Sequence, residues 1–418
     1  MVKVITGLRR CGKSFLLFTI YKDYLISQGI PQSRIIEIAL DNPEFMHLRD
    51  PLVLYDYIKE KITGREMHYI FIDEIQMVAK YVNPALKKDG DYDETDYISF
   101  YDVLNGLLHM DNTDVYVTGS NSKMLSKDIW TQFRGRGDQI HVFPLTFREF
   151  YTYRKGDRYD AFNEYLLYGG MPYILSLSSG KEKKQYLENL FEEVYFKDVV
   201  SRYTIEYTNV LRGLTEVLCS TTGSLTNASK ISRTLKSTQN ISVDSETISK
   251  YLQHLTESFL YSEAKRYDVK GRKYFSYPSK YYATDPGLRN ARLNFRQFDA
   301  AHLVETVVFN ELLARGHSVD VGYVETTERN QEGIKKRVVR EIDFVVNASN
   351  PGTKYFIQVA ESIDSPEKME QELRPFQKMG ADSNKKILIS RSSMLSWTDE
   401  EGICHVNIFD FLLDENSI

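Results

Sequence analysis

The chain has few cysteines, no long apolar run and little excess charge. Its 418 residues include three cysteines, Cys11, Cys219 and Cys404, whose wide separation excludes a cysteine-based metal site. So few cysteines are typical of a protein in the reducing cytoplasm. No stretch approaches the roughly 18 apolar residues that a membrane-spanning helix needs, and no secretory leader opens the chain. We therefore expect a cytoplasmic protein without a membrane partner.

The net charge is −5, and 42% of the residues are hydrophobic and 27% charged. This composition is that of a globular protein with ordinary cores. It excludes a polycation that binds nucleic acid along its whole length, so that any such surface must be local. At roughly 150 residues per domain, the length predicts about two to four domains.

A glycine-rich loop follows the first apolar segment. "VKVIT" (2–6) predicts a buried strand, and apolar residues recur at helical spacing from Phe15 onward. Between them, "GLRRCGKS" (7–14) matches G-x-x-x-x-G-K-[ST], a loop whose backbone N–H groups and helix N-terminus bind phosphate. Lys13 would contact the β- and γ-phosphates of ATP, and Ser14 would ligand Mg²⁺. The predicted nucleotide-binding residues are Gly7, Leu8, Arg9, Arg10, Cys11, Gly12, Lys13, Ser14 and Phe15.

A second segment, "HYIFIDEIQ" (68–76), predicts a central parallel strand that ends in two acidic residues. Ligands of open α/β sheets bind at the carboxyl ends of the strands, where Asp73 and Glu74 would lie. We expect Asp73 to hold Mg²⁺ through its water shell and Glu74 to activate the attacking water. The alternative is that two acids simply end a strand.

Two later segments supply candidate contacts to the γ-phosphate. "DVYVTGSNS" (114–122) predicts a strand with a polar end that includes Thr118 and Asn121, a candidate sensor. "FRGRGDQIHVFPL" (133–145) places Arg136 before a further strand, where an arginine can stabilise transition-state charge in its own or a neighbouring subunit. A plain strand exit and a solvated arginine are the alternatives.

Together, "KVITGLRRCGKS", "FIDEIQ", "VYVTGSNSKML" and "FRGRGDQIHVFPLTFREF" resemble a family of bacterial and archaeal AAA+-type P-loop ATPases with a C-terminal domain of unknown function. The resemblance covers essentially the whole chain and implies an α/β fold, with a P-loop parallel sheet over 1–145. The resemblance implies that Gly7, Gly12, Lys13 and Ser14 form the Walker A motif and that Asp73 and Glu74 form the Walker B motif. It also implies that Asn121 is the sensor and that Arg136 is the arginine of the family's Gly-Arg motif. Family members usually carry a lead-in segment that helps to enclose the adenine. Here the first strand begins at Met1–Val2, which leaves base recognition open.

The middle of the chain is predicted to be helical. Residues 146–207 favour a helical lid or connector, interrupted at "YGGMP" (168–172). Over 208–296, three helical patterns and a hairpin predict a winged helix-turn-helix, with 14 Lys and Arg against 7 Asp and Glu. The expected DNA contacts are Lys250, Gln253 and His254 on the recognition helix, and Lys270, Arg272 and Lys273 on the wing. The alternative is a winged helix that packs against protein.

The remaining segment, 297–418, resembles a PD-(D/E)XK nuclease core. A predicted helix carries Glu305, and two predicted strands carry Asp343 and Gln358. In that core the acids bind Mg²⁺, and a lysine two residues after the third ligand assists the reaction. Ala360 occupies the lysine position, and the neutral Gln358 is a poorer Mg²⁺ ligand than a carboxylate. We therefore expect a degenerate, nuclease-like domain.

The sequence thus favours a Mg²⁺-dependent ATP-binding protein or ATPase whose nucleotide state repositions a winged helix and a nuclease-like domain. Two other classes stay open: a DNA-binding or regulatory module that binds ATP with little hydrolysis, and an ATP-dependent nuclease. ATP and Mg²⁺ are the expected ligands. DNA, a protein partner and a second copy of the chain are the candidate partners.

Overall fold

The computed structural model describes residues 1–84, 92–93, 96–119, 137–271, 273–329, 335–347, 354–377, 379, 384–391 and 395–418. Two compact units divide the chain: Met1–Phe143 with Glu257–Phe259, and Pro144–Thr256 with Leu260–Ile418. Within the described ranges, no helix is both long and apolar enough to cross a bilayer.

The first unit is a parallel sheet with helices on both faces. Its strands are β1 (Val2–Gly7), β2 (Ile35–Ala39), β3 (His68–Asp73), β4 (Tyr81–Val82), β5 (Tyr97–Ile98), β6 (Thr113–Thr118) and β7 (Gly137–Val142). Its helices are α1 (Lys13–Phe15), continued by a π-helix (Leu16–Tyr21) and α2 (Lys22–Ser27), then α3 (Pro51–Lys61) and α4 (Phe100–Leu108), with 3₁₀ turns at Gln32–Arg34, Pro43–Arg49 and Ile75–Met77. The five-stranded sheet has the order β2-β3-β6-β1-β7.

Both faces of β3 are buried, which explains its continuous apolar run. Successive side chains of a strand point to opposite faces. Ile70 and Ile72 therefore join the core cluster that contains Leu54 and Leu104 of α3 and α4. Phe71 joins a second cluster with Leu17, from the helix that follows the glycine-rich loop. The P-loop-type parallel sheet expected for the first part of the chain is present.

The second unit combines helices with a mixed sheet. Its helices are α5 (Phe147–Arg154), α6 (Arg158–Tyr168), α7 (Gly180–Asn189), a π-helix (Leu190–Phe196), α8 (Lys197–Arg202), α9 (Thr208–Ser220), α10 (Ala228–Gln239), α11 (Ser245–Glu257), α12 (Pro286–Arg292), α13 (Ala300–Ala314), α14 (Pro366–Gln377) and α15 (Ile408–Leu413), with a 3₁₀ turn at Pro172–Ser176. Its strands are β8 (Tyr261–Asp268), β9 (Lys273–Ala283), β10 (Val319–Arg329), β11 (Lys335–Asn347), β12 (Lys354–Ala360), β13 (Lys385–Ser390), β14 (Trp397–Thr398) and β15 (Ile403–Asn407).

These strands form one eight-stranded sheet in the order β14-β15-β13-β12-β11-β10-β8-β9. The hairpin expected at 260–285 is present as the antiparallel pair β8 and β9. It is not a free wing, because β8 also pairs in parallel with β10. The predicted domain boundary between residues 296 and 297 therefore separates strands that share one sheet. The division into four domains stays a prediction.

Helix α13 lies in the main core of this unit. Leu303, Val307 and Phe309 pack in one cluster with Phe344 of β11 and Ile357 of β12. Nine of its residues are buried, among them the charged Glu305. A carboxylate in such a position requires a partner, because an unpaired buried charge is very costly.

Candidate functional site

The loop between β1 and α1 has a backbone that glycine makes accessible. Gly7 has φ 143°, and a Cβ there would lie 2.2 Å from the carbonyl oxygen of Val142. Gly12 has φ 106° immediately before the helix begins at Lys13. Arg10, although not a glycine, also has a positive φ of 63°. Left-handed residues within such a loop are typical of concave backbone sites for anions, and the helix N-terminus adds positive potential.

Lys13 is bound to its own loop. Its Nζ donates to the carbonyl oxygen of Leu8 at 2.7 Å and to that of Gly7 at 3.0 Å. The residue is only 5% exposed. The ammonium group therefore lies within the loop that is expected to hold phosphate, where backbone carbonyl oxygens accept its hydrogen bonds.

The remaining loop residues fall into two groups. The side chains of Leu8 and Cys11 are buried, and Cys11 Sγ contacts the Val142 carbonyl oxygen at 3.4 Å. Burial raises the pKa of the Cys11 thiol. Both side chains therefore pack under the loop. Arg9, Arg10 and Phe15 are exposed, and Ser14 is half-buried.

The carboxyl ends of β3 and β6 meet at Thr118. Thr118 Oγ1 donates to Asp73 Oδ1 and accepts from the backbone N–H of Glu74 at 3.1 Å. Strand β6 lies between β3 and β1, with Thr118 in register with Ile5 of β1. Both acidic residues are thus at the sheet edge where the glycine-rich loop begins, as the sequence predicted from strand direction alone. Thr118, part of the predicted polar strand end, links the two acids through its hydroxyl.

Glu74 is held by an amide that the sequence reasoning missed. It has a left-handed backbone conformation with φ 55° and precedes the 3₁₀ turn Ile75–Met77. Gln76 Nε2 donates to Glu74 Oε2. Burial, followed by the negative charge of Asp73, raises the pKa of Glu74. A glutamine two residues after the acid carries no recognisable signal in one sequence, since many polar residues are compatible with a turn at a strand end.

A half-buried histidine lies next to β1, the strand that precedes the loop, and was also missed. His141 of β7 is adjacent to Thr6, and the Thr6 Oγ1 and His141 Nδ1 atoms are 3.2 Å apart. Burial, with a further contribution from the charge of Lys13, lowers the pKa of His141 to about 4. The imidazole is therefore neutral at physiological pH and adds no charge to the site. The predicted sensor Asn121 and the arginine Arg136 lie outside the described residues.

A second polar constellation is buried in the other unit. The three residues of the predicted nuclease core, Glu305, Asp343 and Gln358, belong to α13, β11 and β12, and a lysine lies among them. Lys280 Nζ of β9 is 2.8 Å from Glu305 Oε1, 2.7 Å from Glu341 Oε1 and 4.0 Å from Asp343 Oδ1. The sequence assigned this lysine to a wing and did not connect it with the acids.

Protein groups already occupy oxygens of all three predicted ligands. Glu305 Oε1 also accepts from the Tyr282 hydroxyl at 2.6 Å. Asp343 Oδ2 accepts from the Val359 N–H at 2.9 Å, and Gln358 Oε1 accepts from the Asp343 N–H at 2.8 Å. Over the described ranges, no group of three or more His, Cys, Asp or Glu residues is arranged to hold a metal ion.

The charges in this cluster are strongly coupled. Burial alone would raise the pKa of Glu305, but the charge of Lys280 and the hydrogen bonds from neighbouring side chains together outweigh burial, and the pKa is lowered. Burial and the charge of Glu305 raise the pKa of Asp343 well above its ordinary value. One buried ammonium thus compensates Glu305 and Glu341, and Asp343 favours its neutral form.

The predicted DNA contacts differ in exposure. Lys250 and Gln253 of α11 are exposed and line an open cavity of about 460 Å³ with Glu263 and Tyr281. His254 was expected to be exposed beside them, and this is wrong: it is 7% exposed, and its ring stacks on Tyr203 with centroids 3.8 Å apart.

On the hairpin, Lys270 is exposed at the turn, and its Nζ donates to the Glu325 carbonyl oxygen at 3.1 Å. Lys273 begins β9. Arg272 lies outside the described residues. Of the predicted contacts, Lys250 and Lys270 are thus the lysines with described side-chain positions, and both are accessible.

Two protein families match segments of the chain, and one of them covers the first unit's parallel sheet. A family described as "AAA domain" matches residues 1–151, and one described as "Domain of unknown function (DUF8612)" matches residues 159–299. Together with the parallel sheet and its glycine-rich loop, this defines the N-terminal part as an AAA-type ATPase domain. The winged helix and the nuclease-like core stay predictions.

Two relatives match over most of the chain. An uncharacterized protein of Haemophilus influenzae is 32% identical over 418 residues, which cover 99% of this chain and 94% of that protein. The uncharacterized protein MJ1544 of Methanocaldococcus jannaschii is 28% identical over 393 residues, 90% of this chain and 78% of the relative. The chain belongs to the same family as this Haemophilus protein.

Among solved structures, the Aeropyrum pernix ORC1 protein in complex with DNA matches with a TM-score of 0.23 and 13% identity, covering 75% of this chain and 87% of that one. A similarity of this size supports no argument about the chain.

Proposed function

We propose that this protein binds and hydrolyses ATP with Mg²⁺ in the first unit, and that its nucleotide state repositions the second unit. The observation that carries the proposal is the junction of three strand ends. The glycine-rich loop follows β1, Asp73 ends β3 and Glu74 follows it, and Thr118 of β6 bonds to both acidic residues. A phosphate-binding loop and an acidic pair at one sheet edge are the parts that phosphoryl transfer to water requires.

The residues present fit MgATP. A hydroxyl and a carboxylate are hard oxygen donors of the kind that Mg²⁺ prefers, and Ser14 and Asp73 would supply them. The bound ion would neutralise charge on the phosphates. The positive φ angles of Gly7 and Gly12 and the helix that begins at Lys13 suit a phosphate group at the loop.

The chain's own residues have distinct roles in this proposal. Lys13 would exchange the carbonyl oxygens of Gly7 and Leu8 for phosphate oxygens, so that its charge stabilises the transferred group. Glu74 would accept a proton from the attacking water. Its pKa is raised by burial and by Asp73, which makes its carboxylate a stronger proton acceptor than an exposed one. The contributions of Asn121 and Arg136 belong to the same proposal.

A second candidate function is a DNA-binding or regulatory module that binds ATP with little turnover. It is supported by the exposed Lys250 and Lys270 in a segment with net charge +7, 14 basic against 7 acidic residues over 208–296. Phosphate release measured with and without duplex DNA separates the two functions. Turnover without DNA favours the ATPase, and tight ATP binding without turnover favours the module.

The decisive experiment compares ATP affinity, from titration with a fluorescent ATP analogue, with the steady-state rate of phosphate release. Lys13→Ala is expected to lose nucleotide affinity, because the charge facing the phosphates is removed. Glu74→Gln is expected to bind ATP like the wild type and to lose turnover by about 10²-fold or more. Lys59→Ala and Glu60→Gln, both on the exposed side of α3, are the matched controls. Equal loss of affinity in Lys13→Ala and Glu74→Gln would contradict these roles.

A further inference from the structure

Gln76 and Glu74 are brought together by the turn that ends β3. The backbone N–H of Glu74 donates to Thr118 Oγ1 at 3.1 Å, and the Met77 N–H donates to the Glu74 carbonyl oxygen at 2.9 Å. The left-handed φ of 55° at Glu74 reverses the chain at this point. A non-glycine residue in this region is strained, and such strain is concentrated at functional sites. The two side chains consequently meet, and Gln76 Nε2 donates to Glu74 Oε2.

The other end of the Gln76 amide is its carbonyl oxygen, Oε1. Gln76 Oε1 is buried and, among the described residues, accepts no hydrogen bond. The opposite orientation of the amide would place its oxygen against the Glu74 carboxylate, so the hydrogen bond to Glu74 determines which way the group points. Buried acceptors without a partner are rare, and each one calls for an explanation such as a ligand or a bound water.

We propose that Gln76 is a second water-positioning residue, which acts together with Glu74 in the ATPase site. This inference rests on the hydrolysis proposed above. In an amide the nitrogen and oxygen are attached to one carbon, so Gln76 Oε1 lies beside the carboxylate that Gln76 Nε2 binds. The turn thus places a carboxylate next to a carbonyl oxygen that accepts no hydrogen bond from the described part of the chain. A water molecule has two protons to donate and needs two acceptors to be oriented.

The step that this arrangement serves is attack on the γ-phosphorus. The water oxygen forms a bond to phosphorus while the bond from phosphorus to the bridging oxygen breaks, and that electron pair leaves with ADP. One water proton passes to Glu74. The other remains on the oxygen that becomes part of inorganic phosphate, directed toward Gln76 Oε1. Holding a reactant in the correct orientation in this way accelerates a step without changing ground-state affinity.

The test uses the full-length protein and the variant Gln76→Met, which keeps the length of the side chain and removes both its donor and its acceptor. Gln32→Met is the matched control, because Gln32 is an exposed residue of another 3₁₀ turn in the same unit. Three quantities are measured: affinity for a fluorescent ATP analogue, the single-turnover rate of ATP hydrolysis with enzyme in excess, and KM. We expect Gln76→Met to lower kcat and the single-turnover rate by about 10²-fold, with affinity and KM within about twofold of wild type.

A second measurement does not depend on activity. In a crystal structure of the wild type with Mg²⁺, ADP and beryllium fluoride, we expect an ordered water within hydrogen-bonding distance of both Glu74 and Gln76 Oε1. A Gln76 carbonyl bonded instead to a protein group in that structure would overturn the inference.

The outcomes separate this inference from the proposed ATPase function. Wild-type protein without ATP turnover overturns both. Turnover that is lost in Glu74→Gln but unchanged in Gln76→Met overturns the role of Gln76 and leaves the ATPase function standing. Parallel losses of affinity and rate in Gln76→Met would mean that the residue only supports the turn, which also overturns the inference.

Discussion

Lys280 forms a buried ion pair with Glu305, with 2.8 Å between Nζ and Oε1 and with side chains that are 3% and 11% exposed. The two residues come from β9 and α13. The same ammonium is 2.7 Å from Glu341 of β11. A positive charge therefore lies among the acids of the predicted nuclease core, although Ala360 stands where that core would carry its lysine.

Replacement of Lys280 should destabilise the second unit strongly. In Lys280→Met, the buried carboxylate of Glu305 loses its compensating charge, and breaking such a buried pair typically costs about 3–5 kcal/mol. The free energy of unfolding from urea titration measures the effect. Lys265→Met, an exposed lysine on the neighbouring strand β8, should change it by less than about 0.5 kcal/mol. A loss below about 1 kcal/mol in Lys280→Met would show that the ion pair is not formed in solution.

The protein should not cleave DNA with Mg²⁺ or Mn²⁺, whether or not ATP is present. Oxygens of Glu305, Asp343 and Gln358 are engaged by Lys280, the Val359 N–H and the Asp343 N–H, which leaves a poor set of metal ligands. The assay incubates supercoiled and linear DNA with the wild type and with Asp343→Ala. Cleavage by the wild type that is absent from the variant would instead place Asp343 in a working metal site, with Lys280 as its lysine.

If the basic segment 208–296 binds DNA, its affinity for DNA should fall steeply as the salt concentration rises. Replacing Lys270, Arg272 and Lys273 with alanine should reduce the slope of log K against log salt by up to about three, since each lost phosphate contact removes about one. Fluorescence anisotropy at several salt concentrations provides the measurement. The control is a variant in which Lys155, Lys181 and Lys368 are replaced by alanine. It has the same net charge as the hairpin variant and should keep the wild-type slope. Absence of binding at low salt would favour a protein partner.

Asp285 should make the second unit less stable as the pH rises. Its carboxylate caps α12 and accepts from the Gly170 N–H at 2.7 Å and the Leu288 N–H at 2.9 Å, yet burial raises its pKa to about 6 from an ordinary 3.8. Between these values the folded state binds more protons than the unfolded state, so the free energy of unfolding falls with rising pH. The full loss from this group, about 3 kcal/mol, is reached above pH 6.

The variant Asp285→Asn isolates this contribution. It is uncharged at every pH, so the pH-dependent loss between about pH 4 and 6 should disappear. One of the two backbone N–H groups would face an amide donor, at a pH-independent cost of about 1–3 kcal/mol. Asp299→Asn, an exposed cap at the start of α13, is the control and should keep the wild-type pH dependence. Identical slopes in wild type and Asp285→Asn would contradict the raised pKa.

Local sequence patterns were sufficient to predict the glycine-rich loop and most of the strands. A buried apolar run, a glycine-rich loop and a helical repeat are features of neighbouring residues, and they placed Lys13 and Ser14 at a helix start. The position of Asp73 and Glu74 at the edge of the sheet followed from strand direction, because parallel strands place their carboxyl ends together. Local sequence patterns did not identify Gln76 as a candidate site residue. Its role depends on the left-handed turn at Glu74, and a glutamate in that conformation is not expected from its residue type.

The sequence by itself determined that a phosphate-binding loop and an acidic pair would lie at the ends of parallel strands, since both are encoded by residues close together in the chain. Only the tertiary structure decided which distant groups would meet them. The strand order inserts β6 between β1 and β3 and so brings Thr118 to Asp73, 45 residues away. The pairing of β8 with β10 makes the expected wing part of a sheet and places Lys280 against Glu305. Such pairings depend on the packing of whole elements. The residues around a lysine in the sequence therefore do not indicate which carboxylate it will contact in the folded protein.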